Sequence, residues 1–176
     1  MPAPERTSLA EVVAAGCDLL EELGPTGLTM QAVAARVGVR APSLYKRVRD
    51  RDELLRLVAT AAGEDVGARL AGTDGTLPAL ARAYRSFGHD RPEAFRLLLT
   101  SRPDPGTPQR IAEPVLLAVE QLVGSDRTLE AARFVTAWVT GFVSMELAGA
   151  FRLGGDLEEA WDYGLDRLVL ALAAGR

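Results

Sequence analysis

Apolar positions recur at helical spacing along nearly the whole chain. Leu9, Val12, Val13, Leu20 and Leu23 predict a first helix from about Ser8 to Leu23, opened by Ser8 and Glu11 as a capping box. Met1 to Thr7 ahead of it reads as a mobile tail. Gly24-Pro25-Thr26-Gly27 breaks the pattern. Thr29 then caps a second helix whose apolar face is Val33, Ala34 and Val37. Gly38 ends it, because glycine reaches the left-handed conformation without steric cost. Val39 to Ala41 make a turn, and Pro42 sits where a new helix needs no N–H. Ser43 to Val48 is a short third helix with Leu44 and Val48 inward. Asp50, with Glu53 three residues on, opens a fourth helix that runs towards Leu70 through Leu54, Leu55, Val58 and Ala62.

The second half continues in the same period. Leu77 to His89 and Arg91 to Ser101 read as helices five and six, and the proline-rich Arg102 to Pro108 as a loop. Helix seven reaches Val123, and Pro114 either kinks it or marks its first turn. Helix eight is expected from near Asp126 to about Leu153, roughly 40 Å long. It is apolar nearly all round from Phe134, which predicts a central, buried helix. Its polar interruptions, Thr136, Thr140, Ser144 and Glu146, argue against a membrane span. After Gly154-Gly155, Asp156 and Glu159 form an acidic capping box for helix nine, with Leu157, Trp161, Gly164, Leu165, Leu168 and Leu172 on one face. Strand alternation is absent. The expectation is an all-α chain of about nine helices, with a three-helix head over 1–50 and a helical bundle over 51–176.

Charge sharpens this picture. The chain is net −4, yet Leu28 to Arg51 holds six basic residues (Arg36, Arg40, Lys46, Arg47, Arg49, Arg51) against one acid, Asp50. A cationic patch on an acidic chain is suited to phosphates. Two short helices across a glycine-led turn form a helix-turn-helix, whose second helix enters the major groove.

These residues also carry a resemblance. V-x-x-P-S-L-Y-x-x-V-x-D-R-x-x-L-L, within Leu9 to Leu57, resembles the DNA-binding signature of the TetR family of bacterial transcriptional repressors. Many members have histidine where Arg47 stands, and lysine where Arg51 stands. The resemblance implies that Gln31, Ala41, Pro42, Ser43, Tyr45 and Arg47 lie near base edges or adjacent phosphates. Thr29, Lys46 and Arg51 are then expected chiefly on the DNA backbone, and Arg40 is expected to bind DNA as well. R-P-E-A-F-R-L-L-L, A-W-V-T-G-F-V-S-M-E-L-A-G-A-F and W-D-Y-G-L-D-R-L resemble the C-terminal ligand-binding domain of one subgroup. The two resemblances imply a helix-turn-helix DNA-binding domain over 1–50 and a ligand-binding and dimerisation domain over 51–176. There Trp-x-x-His-Gly is common, and Thr140 replaces the histidine.

A small apolar or amphipathic effector is therefore expected between helices five to eight. Tyr84, Phe87, Phe95, Phe134, Trp138, Phe142 and Met145 could line its pocket or could simply fill the core. Glu146, an acid in an apolar helix, must pair with an arginine, face solvent or bind a polar ligand group, since burial alone costs several kcal/mol. A homodimer reading a palindrome is expected through helices eight and nine, at Gly149, Trp161, Gly164, Leu165, Leu168 and Leu172. Double-stranded operator DNA and the effector are the other expected partners.

Other classes fit less well. An enzyme would have to work with one histidine, His89, and one cysteine, Cys17, without a P-loop, HExxH or CxxC motif. No cofactor, metal site or catalytic residue is expected, and His89 beside Asp90 reads as structural. The single cysteine precludes an internal disulfide and reads as an inert buried thiol. No signal peptide appears, and a cytoplasmic location is expected. A constitutive repressor, or a helical module that does not bind DNA, is the alternative. The second of these leaves the basic helix-turn-helix without a purpose. Repression and activation are not distinguished by sequence.

Overall fold

The computed structural model describes residues 7–174, and the tail expected over Met1 to Thr7 lies outside them except for Thr7. Every regular element among the described residues is helical. The α-helices are α1 (Leu9–Gly27), α2 (Met30–Arg36), α3 (Ala41–Leu44), α4 (Arg51–Ala71), α5 (Leu77–Asp90), α6 (Pro92–Thr100), α7 (Gly106–Val123), α8 (Thr128–Leu147) and α9 (Leu157–Ala173). A short 3-10 turn, Ser125–Arg127, precedes α8.

The chain forms two compact units. The first comprises residues up to Asp65 together with Arg91–Pro108, and thus holds α1 to α3, most of α4, and α6. Its core is Val12, Leu19, Leu20, Leu28, Val33, Leu44, Val48, Leu54, Val58 and Phe95. A large aliphatic side chain buried this fully contributes about 1.5–3 kcal/mol. Gly16 lets α1 and α4 approach, since a Cβ there would lie 2.8 Å from Val58 Cγ2. Glu21 of α1 accepts from the Glu93 and Ala94 N–H groups at 3.1 and 2.9 Å, satisfying two orphan donors at the start of α6.

Capping follows the side chains. Ser8 and Glu11 make both arms of their capping box. Thr29 Oγ1 accepts from Ala32 N–H at 3.1 Å. Asp50 accepts from Glu53 N–H at 2.8 Å, but the return arm from Glu53 reaches Arg49 N–H rather than that of Asp50. Gly24, at φ +68°, breaks the helical path inside α1 where the Gly-Pro pair was expected to. The third helix differs from expectation. It begins at Ala41, keeps one α-turn to Leu44, and continues through Arg47 as tighter turns.

The second unit holds Val66–Asp90 and the chain from Gln109 onward. Phe87, Leu80, Val119, Val135, Val139, Val143 and Trp161 form its core. Pro114 lies inside α7 and not at its first turn. Helix α8 is shorter than its apolar sequence suggests. Gly149 adopts φ +61°, its N–H returns to Glu146 O, and Ala150 N–H returns to Met145 O. That pattern is a Schellman closure, which only an αL residue completes readily. Helix α9 starts at Asp156, whose carboxylate takes Glu158 N–H at 2.7 Å and not that of Glu159.

Candidate functional site

In the first unit α2 and α3 meet across Val37 to Arg40, with Gly38 at φ +70°. Leu44 and Val48 are buried, and this fixes the outward direction of the intervening residues. Thr29, Gln31, Arg40, Pro42, Ser43, Tyr45, Lys46 and Arg47 are all exposed, and Ala41 is half-buried. Their exposure brings two hydroxyls, an amide, a phenol and three cations onto the surface of the helix-turn-helix.

The six basic residues divide into two sets. Arg36 forks onto Glu22 at 3.1 and 2.6 Å. Arg49 pairs with Asp50 at 2.8 Å, and this bond with the Glu53 N–H bond holds the Asp50 carboxyl below its ordinary range. Arg51 differs from its expected place on the DNA backbone. Its Nε donates to Leu28 O at 3.0 Å and a terminal nitrogen donates to Pro25 O. It ties the start of α4 to the end of α1, because those carbonyls have no helical partner of their own. Arg40, Lys46 and Arg47 make no ion pair with any described residue. The open charge at the turn is therefore smaller than the sequence count.

The expected effector residues do not form one cavity. Phe95 belongs to the first unit. Phe134 is 54% exposed and Met145 is exposed too, so neither lines an enclosed site within the chain. Phe87 is buried beneath Arg69, whose guanidinium carbon lies 5.4 Å from the ring centre. Tyr84 meets Thr140 at 3.4 Å between hydroxyl oxygens, and burial pushes its phenol up. Trp138, Phe142, Phe151 and Trp161 pack on one another with ring centres 4.9 to 5.6 Å apart.

Glu146 resolves to the first of its three expected fates. It accepts from Arg85 Nε and Nη2 at 2.9 and 2.6 Å, and its Oε2 lies 3.2 Å from His89 Nε2. Burial pushes the Glu146 carboxyl up, but the bonds from Arg85 and His89 outweigh this and hold it below the ordinary range.

The expected dimer residues also need correction. Trp161, Leu165 and Leu168 are buried within their own chain, since α9 turns its leucine face to the core. A Cβ on Gly164 would collide with the Trp138 indole, so the close approach there is internal. Gly149 is a helix terminator with open space beside it. Gly164 and Leu172 are half-buried. The exposed large apolar side chains are instead Leu129, Phe134 and Met145 on α8, and Tyr163 and Leu170 on α9. Spacing alone could not tell the inward stripe from the outward one.

The fold and the exposed helix-turn-helix define a DNA-binding transcriptional regulator. The chain belongs to the TetR family. Residues 6–58 match the model of bacterial regulatory proteins of the tetR family, and 77–168 match the tetracyclin repressor-like C-terminal domain. An uncharacterized HTH-type transcriptional regulator of Mycobacterium tuberculosis is 30% identical over 98% of this chain and 83% of its own. The crystal structure of BioQ from Mycobacterium smegmatis superposes with TM-score 0.75 at 25% identity, covering 97% of this chain and 99% of that one. A TetR variant from Acinetobacter baumannii, solved in complex with minocycline, gives TM-score 0.72 at 25% identity over 94% and 96%. Members of this family are regulators and not enzymes. No helix among the described residues is long and apolar enough to cross a membrane.

Proposed function

We propose that this regulator is a repressor that binds a palindromic operator as a homodimer and is released by a small apolar or amphipathic molecule. The observation that carries the reading is the open trio Arg40, Lys46 and Arg47 around α3. Arg47 suits guanine, whose O6 and N7 accept its paired donors. One recognition helix covers too few base pairs to select a site, whereas a two-fold dimer reads half-sites about 34–36 Å apart or multiples of that.

The exposed apolar residues of α8 and α9 support a four-helix contact between two copies. Phe134, Ala137, Gly141 and Met145 share one exposed face of α8, and Tyr163, 70% exposed, and Leu170 lie on α9. The minocycline-bound relative supports release by a small molecule. A second reading, a constitutive repressor, is favoured by the mutual packing of Trp138, Phe142, Phe151 and Trp161, which fill one another's space.

The test is a gel shift on the DNA upstream of the protein's own coding region, paired with sedimentation. The wild type is expected to be dimeric at micromolar concentration and to shift that DNA in a salt-sensitive way. Phe134→Glu with Leu170→Glu is expected to give folded monomers that do not shift it. A monomeric wild type that still binds would overturn the dimer reading.

A further inference from the structure

We propose that the second unit binds the carboxylate of a small monocarboxylic acid on α5, in the place now taken by the side chain of Glu158. Arg82, Arg85, Ser86 and His89 fall at i, i+3, i+4 and i+7, so one face of α5 presents four hydrogen-bond donors. Glu146 of α8 and Leu157 and Glu158 of α9 close around that face, leaving an open cleft of about 480 Å³. Small-molecule sites span about 300–1,000 Å³.

Arg85 is built into this cleft as a fixed receptor. Its inner edge forks onto Glu146, whose side chain is 4% exposed. Its guanidinium carbon lies 4.8 Å from the ring centre of Trp161, which is fully buried. Both contacts set the plane of the guanidinium and leave its other edge outward. That edge forks onto Glu158 at 2.8 and 2.7 Å, yet the Glu158 side chain is 72% exposed. Exposed ion pairs of this kind contribute little.

A carboxylate from solution can therefore make the same two-pronged contact while Glu158 turns out into water. Arg82, which reaches Asp162 at 3.0 Å, and the Ser86 hydroxyl stand beside it as further donors. The charge count selects the ligand. Two arginines already face Glu146, Glu158 and Asp162, so a monoanion replacing Glu158 leaves the balance unchanged. A dianion such as a phosphate ester would add a negative charge beside Glu146 and Asp162. Leu157 supplies an apolar wall for a short hydrocarbon body.

This names a ligand class for the effector reading above and rests on it for regulatory meaning, but the binding needs no DNA. The experiment is calorimetric titration of the full-length protein with butanoate, hexanoate, octanoate and benzoate, each against its primary amide. Saturable binding of at least one acid is expected, with its amide silent. Glu158→Gln, which weakens the internal competitor, is expected to tighten binding about tenfold, and Arg82→Gln to weaken it about tenfold. No saturable binding by wild type or Glu158→Gln, or equal binding of acid and amide, would overturn the proposal. An acid that binds but leaves the gel shift unchanged supports the site and overturns its role in release. Arg85→Gln risks misfolding and is not needed for the decision.

Discussion

Cations around α3 and cations on α4 and α5 have opposite fates. In the first unit Arg40, Lys46 and Arg47 stand exposed without an acidic partner among the described residues, whereas Arg69, Arg82 and Arg85 in the second each reach a carboxylate. The distances are 2.6 Å to Asp90, 3.0 Å to Asp162 and 2.6 Å to Glu146. The protein has acids enough to neutralise its surface, with 24 against 20 basic residues, yet among the described residues none pairs with Arg40, Lys46 or Arg47. An unpaired cation costs little in water and is ready for a polyanion. A paired and buried one fixes structure, as Arg85 on Glu146 does. The difference separates charge left open, which we propose meets DNA, from charge tied to carboxylates of its own chain.

The largest expected effect lies on the paired side. Arg85→Ala leaves the buried Glu146 carboxylate with His89 as its remaining partner and is expected to cost about 3–5 kcal/mol in urea unfolding. A loss below about 1 kcal/mol would mean that the pair is only a surface contact. Gly164→Ala drives a methyl group into the Trp138 indole and is expected to cost about 1–3 kcal/mol, with a change in tryptophan fluorescence. Arg51→Ala removes two bonds to backbone carbonyls and is expected to lower stability by about 1–2 kcal/mol, with helix content retained by circular dichroism.

The pH response is smaller and has a definite sign. Glu146 titrates below its ordinary value of 4.5 in the folded chain, so the unfolded chain binds more protons as pH falls. Its contribution is complete above that ordinary value and is lost as pH drops through the depressed one. Arg85 and His89 are the charged and titratable groups that face it. Unfolding curves from about pH 6 down to about pH 3 are expected to show the loss in the wild type and a flatter acid limb in Glu146→Gln.

Local chemistry made much of this legible in the sequence. Ser8 with Glu11, Thr29 and Asp50 are short-range caps, and their partners lie within four residues. Leu44 and Val48 pointed inward because four residues make about one turn. The recognition turn followed from Gly38 and Pro42, and the residues expected on DNA came from the resemblance. Long-range partners did not. The carbonyls that hold Arg51 lie 23 and 26 residues away, and Glu22 lies 14 residues from Arg36. The end of α8 was masked by Phe151 and Leu153, which continue the apolar pattern past Gly149. The α5 donor face was present in the sequence at regular spacing, but its meaning depends on Glu146 and Glu158, 61 and 73 residues from Arg85.

The most direct test of the division between open and tied cations is the salt dependence of operator binding. The logarithm of the binding constant falls linearly with the logarithm of salt concentration, with a slope set by the phosphates neutralised. Lys46→Ala is expected to reduce that slope by about 1, whereas Arg51→Ala leaves the slope unchanged at temperatures where it is folded. A reduced slope for Arg51→Ala with an unchanged slope for Lys46→Ala would contradict the account.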